Sequence, residues 1–215
     1  MTSTKTVLVT GFEPFGGEDR NPSQEIAGKL DGTLLRRRRV VGGVLPCVFG
    51  ASATALKEQI KRCRPELVIC LGLAGGRNGI TPERVAINVD DARLPDNAGK
   101  RPIDRPVLRG GPAAYFSTLP IKAIVAALRA RAVPAAVSQT AGTFVCNHVF
   151  YVLMHQLRDQ RSMRGGFIHV PFSAELARDG EPSLELSQMV DAIARASDVS
   201  VRTRRDLRDE GGQVQ

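Results

Sequence analysis

Apolar positions recur along this chain with two spacings, alternate residues in short runs and every third or fourth residue in longer ones. The switches between them predict the elements. Thr6 to Thr10 reads as a buried first strand, rich in β-branched residues and ending at Gly11, where it opens into the loop Phe12-Glu13-Pro14-Phe15-Gly16-Gly17. A helix is expected from Asn21 or Pro22, since proline suits a first helical turn and Ile26, Ala27 and Leu30 share one face. Leu35 to Leu45 predicts a strand and Ala51 to Arg62 a helix carrying Ala55, Leu56 and Ile60 on its apolar side. The nearly all-apolar run Glu66 to Leu73 has the signature of a strand covered on both faces. Arg84 to Val89 predicts another strand, followed by a long polar stretch, Asp90 to Pro112, of the kind that is functional or mobile. Further on the pattern predicts a helix over Ile121–Ala130, a short strand over Pro134–Ser138 and a helix over Asn147–Arg158. A strand over Phe167–Val170 and a helix over Ser183–Ala196 with Ser183 as N-cap complete the reading.

Strands alternating with helices imply an α/β fold, a three-layer α/β/α sandwich around a mostly parallel mixed sheet. At 215 residues, 42% of them hydrophobic, the chain supports one sizeable core, so a single domain over 1–215 is expected, with a frayed tail from about 200 to 215. No apolar run approaches the length of a membrane span. Met1 to Lys5 leads into the first strand without a secretory apolar segment, which predicts a cytoplasmic protein. The four cysteines, Cys47, Cys63, Cys70 and Cys146, form no CxxC pair and read as free thiols. A net charge of +8 raises the question of an anionic partner. Its distribution argues for a solvated basic surface and against nucleic acid: Arg36 to Arg39 is the one dense run, tryptophan is absent, and aromatic and basic residues do not interleave.

In such sheets ligands bind beyond the carboxyl ends of strands, which singles out three loops: Gly11–Gly17, Gly72–Arg77 and Thr140–Val145. The last leads from a strand through a turn of small residues into a helix, so Cys146 falls at a helix N-terminus. The helix dipole there stabilises a thiolate and lowers its pKa, and unpaired N–H groups can receive an oxyanion. The competing reading is a cysteine packed as a small hydrophobe, which suits Cys63 and Cys70. A thiol nucleophile needs a base, and the chain has three histidines. His148 lies two residues along the same helix and faces elsewhere. His155 is about 13 Å further on at the helical rise. His169, near the carboxyl end of a strand, is left. Several carboxylates, Glu83, Asp90, Asp91, Asp96 and Asp104, are open as the group that orients it. A rival use of the glycine loops as phosphate cradles finds weak support, because neither loop fits a dinucleotide or P-loop pattern.

Three blocks together resemble the pyroglutamyl-peptidase I family, also called pyrrolidone-carboxylate peptidases, over roughly Val7 to Phe172. They are Thr10 to Gly17 with Asn21-Pro22-Ser23, Ala74 to Arg77 with Ile80 to Asn88, and Thr140 to Asn147. The resemblance implies a cysteine exopeptidase that removes N-terminal pyroglutamate, with Cys146 as nucleophile, His169 as base and then acid, and Glu83 as the group orienting the histidine. It further implies a lactam pocket built from Phe12 and Phe15 with Phe144 nearby, an electrostatic role for Arg93, no metal or cofactor, and a homo-oligomer, dimer or tetramer. One position departs from the pattern: Leu73 stands where many family members have glutamine.

Overall fold

The computed structural model describes residues 5–160 and 162–212. A six-stranded sheet forms its middle. β1 (Thr6–Phe12) is followed by α1 (Pro22–Leu30), β2 (Leu34–Leu35), β3 (Arg38–Leu45), α2 (Ala51–Cys63) and β4 (Leu67–Leu73). The short strands β5 (Thr81–Pro82), β6 (Val85–Ile87) and β7 (Ala114–Phe116) precede α3 (Ile121–Arg129) and α4 (Val145–Leu157). The chain ends with β8 (Arg164–Val170), β9 (Phe172–Ser173), β10 (Ser183–Leu184) and α5 (Leu186–Arg202). The strand order is β2-β3-β1-β4-β8-β5, parallel through the centre and antiparallel at the two edges. This is the mixed α/β/α sandwich expected.

The two-residue period of β1 divides the core. Val7 and Val9 point to a layer with Ile26, Ile124 and Ile193 from α1, α3 and α5, and Leu8 points to one with Leu56 and Val149 from α2 and α4. Removing one such side chain from water contributes about 1.5–3 kcal/mol. The close seat of α1 on β1 requires Gly11, since a Cβ there would stand 2.0 Å from Ser23 O. Asn21 caps α1 by accepting from Ser23 N–H at 3.0 Å.

Several expectations shift in detail. The basic run does not continue one strand: Arg36 and Arg37 adopt φ of 46° and 64° and turn β2 back onto β3, with Arg36 paired to Asp198 and Arg38 to Glu66. Pro134–Ser138 runs beside β5, exchanging hydrogen bonds at Ile80 and again at Pro82 and Arg84, yet Pro82 has no N–H to give and the ladder breaks into isolated bridges. The last helix begins at Leu186, not Ser183, because Ser183 and Leu184 pair with β9. The tail is exposed, as expected, but not loose up to residue 212. Asp206 accepts from the N–H groups of Lys122 and Ala123 at the start of α3, and Gly211 O accepts from Arg84 and Gln139. Residues 213–215 lie outside the described part. The polar stretch Asp90–Pro112 is held by buried Asp96, which accepts from the N–H groups of Phe49, Ala98 and Lys100. Among the described residues no helix is long and apolar enough to cross a membrane.

Candidate active site

Cys146 is the second residue of α4, at the carboxyl end of the sheet. The turn before it is stitched to its flank: Asp91 N–H donates to Thr143 O at 3.0 Å, and Thr143 Oγ1 donates to Asp91 O at 2.7 Å. Asn147, fully buried, completes the seam. Its Oδ1 accepts from Ile87 N–H at 3.0 Å while its Nδ2 donates to Ile87 O and Val89 O, each at 2.9 Å. Phe144, the N-cap, supplies no side-chain cap, so the first N–H groups of α4 have no partner within the helix and lie beside the thiol. Such an array can receive an oxyanion.

His169 lies on β8 in register with Gly72 of β4. A Cβ added to Gly72 would stand 2.8 Å from Cys146 Sγ and 2.8 Å from the Phe167 ring, so the missing side chain is the space the thiol occupies. Adjacent strands are about 4.8 Å apart, so the thiol over Gly72 and the imidazole of its partner His169 share one rung of the sheet. The His169 ring packs on Phe167 with centroids 4.8 Å apart, and its Nδ1 meets Glu83 Oε1 at 2.7 Å, both residues being buried. A carboxylate oxygen accepts, so Nδ1 carries the proton and Nε2 keeps its lone pair. Arg77 Nη1 donates to the same Oε1 at 2.7 Å. Of the carboxylates left open by the sequence, Glu83 is the one at His169. Asp90 holds His148, Asp96 holds the long loop, Asp91 is exposed at the rim, and Asp104 sits at a turn with φ of 47°.

Beside Phe144 lies a cleft of about 230 Å³ lined by Phe15, Arg93, Leu94, Pro95, Thr143 and Phe144 among others. The Phe15 and Phe144 rings stand 6.2 Å apart, and Phe49 meets Phe144 edge-on at 5.4 Å. Phe12 is not part of this wall. It is 2% exposed and packs against Phe167 in the core, one layer behind the histidine. Three larger hollows, about 700 Å³ against α5 and about 630 Å³ and 570 Å³ beside Arg77, are lined by none of Cys146, His169 or Glu83. The three residues do not line the smaller cleft either; it is singled out by Thr143 and Phe144, which lead into the helix that carries Cys146, and by its aromatic faces. Among the described residues no group of three or more His, Cys, Asp or Glu side chains is arranged to hold a metal.

The profile of the pyroglutamyl peptidase family matches residues 5–203. The chain is 54% identical to a pyrrolidone-carboxylate peptidase of Klebsiella pneumoniae, over 96% of this chain and 97% of that one, and 55% identical to one of Chromobacterium violaceum, over 98% and 99%. Its fold is similar to the crystal structure of pyroglutamyl peptidase I from Bacillus amyloliquefaciens, with a TM-score of 0.93 at 46% identity over 96% and 99% of the two chains. The pyrrolidone carboxyl peptidase of Thermococcus litoralis superimposes with a TM-score of 0.91 at 38% identity, over 96% and 99%. The chain belongs to the pyroglutamyl peptidase family.

Within this pyroglutamyl peptidase fold the protonation of the site differs from the sequence expectation. Burial pushes the Cys146 thiol above its ordinary value, and nearby Cys47 and Glu83 add to the rise. Cys146 keeps partial exposure and the helix N-terminus pulls the other way, but the net direction is up. Burial likewise pushes His169 below the 6.5 of an ordinary imidazole, outweighing the opposite pull of Glu83. Both shifts favour the neutral forms, the thiol over the thiolate and the imidazole over the imidazolium. The other histidines are engaged elsewhere: His148 Nδ1 meets Asp90 at 2.8 Å and its Nε2 accepts from Gly50 N–H at 3.2 Å, while His155 Nδ1 meets the Tyr115 hydroxyl at 2.7 Å. Sequence reasoning did not single out Arg77 and Asn147. For Asn147 a signal was present, since an amide three and four residues before Phe150 and Tyr151 shares their buried face and must find partners there.

Proposed function

We propose that this protein is a cysteine exopeptidase that removes N-terminal pyroglutamate (5-oxoproline) from peptides. Cys146 is the nucleophile, His169 the general base and then acid, and Glu83 the group that orients the imidazole. The observation that carries this reading is the buried His169–Glu83 pair, aligned on the rung of the sheet that Cys146 Sγ overhangs. As Sγ attacks the carbonyl carbon that follows the lactam ring, Nε2 of His169 takes the thiol proton, and N–H groups at the start of α4 receive the oxyanion. Collapse breaks the C–N bond as the imidazolium protonates the leaving amine. Water, giving a proton to His169, then attacks the thioester carbonyl. The thiolate leaves, recovers that proton and frees pyroglutamate. Phe15 and Phe144 offer apolar faces to a small, flat, uncharged ring, and the cleft has room for it.

Pure protein is expected to hydrolyse a pyroglutamyl amide reporter and to lose that activity on treatment with a thiol alkylator. His169→Ala is expected to cost nearly as much as loss of the thiol, and Glu83→Gln less, because an orienting group is less costly to remove than a proton carrier. Variants of His148 and His155 should leave the chemical step nearly unchanged. The reverse order among folded variants, read by single-turnover kinetics, would mean that the roles are misassigned.

The pH profile follows from the direction of the histidine shift. A base must be unprotonated to work, and a lowered pKa keeps it so to lower pH. The acidic limb of kcat/KM is therefore expected below pH 6.5, the ordinary imidazole value. The lactam substrate has no ammonium to confuse this reading. An acidic limb above neutrality would contradict it.

A further inference from the structure

Glu83 is 0% exposed, and a carboxylate in that position needs a cation and hydrogen bonds if it is to stay ionised. The structure supplies one guanidinium. Arg77 Nη1 donates to Glu83 Oε1 at 2.7 Å, the atom that also accepts from His169, and to Thr81 Oγ1 at 2.5 Å. Its Nη2 donates to Thr140 O at 3.1 Å. Thr81 pairs with His169 across β5 and β8, and Thr140 belongs to the turn that carries Cys146. One side chain therefore touches the carboxylate, the strand beside the histidine and the loop of the thiol, while Oε2 of Glu83 has no partner among the described residues. That concentrates the whole electrostatic load of Glu83 on Oε1.

We infer that Arg77 is a positioning residue for the reaction: through Glu83 it fixes the tautomer and proton affinity of His169. This rests on the assignment of Cys146, His169 and Glu83 proposed above. Remove the guanidinium and the buried carboxylate has no cation nearby, a state relieved by taking up a proton. A protonated Glu83 donates to Nδ1 instead of accepting from it. The imidazole proton then sits on Nε2, where it cannot receive the proton of Cys146. Independently, Arg77 is a positive charge that disfavours protonation of His169, so its loss lets the imidazole hold a proton to higher pH. Both routes move the acidic limb of activity the same way, upward.

The test compares wild type, Arg77→Gln, which keeps a donor without the charge, and Arg77→Lys, which keeps the charge with a different reach. Two readouts are followed against pH: turnover of a pyroglutamyl amide, and the rate at which iodoacetamide alkylates Cys146, located by mass spectrometry. Arg77→Gln is expected to lower kcat about 10–100-fold with little change in KM, and to move the acidic limb of both profiles to higher pH. Arg77→Lys is expected to return the limb most of the way towards wild type. A Gln variant whose limb coincides with wild type overturns the inference. So do Gln and Lys variants that lose activity equally with unmoved limbs, the behaviour of a purely structural residue. Alkylation needs no lactam recognition, so a wild type that alkylates with the expected profile but leaves the reporter uncut counts against the proposed substrate, not against the role of Arg77.

Discussion

Cys146→Ala is expected to lower kcat/KM for a pyroglutamyl amide by about four orders of magnitude or more, leaving no more than the residual help of the cleft and the helix N-terminus. The loss should be this large because no other group can take the place of the thiol. Cys70 lies within β4 in the core, with its thiol pushed up to about 12 by burial. Cys47 is buried beside Glu13 and is likewise pushed up to about 12. The Cys63 thiol is committed to Gln59 O at 3.0 Å on the far turn of α2. Small replacements at those three positions should retain most activity, apart from modest losses of stability where core volume is removed. Folding of each variant is checked by thermal unfolding and turnover by the reporter. Persistent turnover in a folded Cys146→Ala protein, or its abolition in Cys63→Ser, would remove the basis of the mechanism.

The second large effect is selectivity. Pyroglutamyl amides are expected to exceed matched glutaminyl and prolyl amides in kcat/KM by up to about four orders of magnitude at neutral pH. An ordinary N-terminus brings an ammonium against the apolar faces of Phe15, Phe144 and Leu94, where it loses water, and the one carboxylate lining the cleft, Asp91, is exposed at the rim beside Arg93. The lactam offers one N–H and one ring carbonyl. Leu73, half-buried at the end of β4, has no side-chain amide to meet them, which leaves that task to backbone groups of the flanking loops. Prolyl substrates fail twice, lacking the ring carbonyl and bringing a charge. Arg93 is exposed at the rim of the cleft, suited to the rest of the peptide more than to the ring. Comparable kcat/KM across the three amides would refute a lactam pocket even with Cys146 as the nucleophile.

The strands and helices of the sandwich were legible because their apolar spacing is dictated by burial on one or both faces, as in Leu67–Leu73. Edges were not. Whether a run such as Leu35–Leu45 continues or folds back depends on two arginines accepting positive φ, which propensity disfavours and the β2–β3 pairing imposes. Ser183 has the chemistry of a helix cap, but its backbone pairs with Phe172 instead, a tertiary contact that no local pattern announces. Within the candidate site, the positions of the thiol and the histidine were legible from the chain, since one falls in the first turn of a helix and the other near the end of a strand. The carboxylate did not, because Glu83 reaches His169 from a segment 86 residues earlier in the chain and competes with other acids nearer the long loop. Phe12 was placed in the pocket by its neighbours in sequence. The alternation of β1 sends it towards Phe167, in the core layer against which Phe15, Phe144 and Cys146 also pack. The helix dipole suggested a lowered thiol pKa, but sequence does not show how deeply the thiol is packed, and burial reverses the direction.

The reversed shift bears on how this protein meets oxidants. Peroxide attacks thiolates, and oxidation to sulfenic acid and beyond follows the fraction of sulfur that is ionised. A cysteine set over Gly72 with its thiol pushed up by burial presents less thiolate to peroxide than one at its ordinary value, although it keeps partial exposure to solvent. In the mechanism proposed above, the nucleophile forms only as His169 removes its proton with a carbonyl carbon at hand. Slower oxidation of Cys146 by peroxide than of a free cysteine is the expected consequence, read by mass spectrometry of the oxidised thiol.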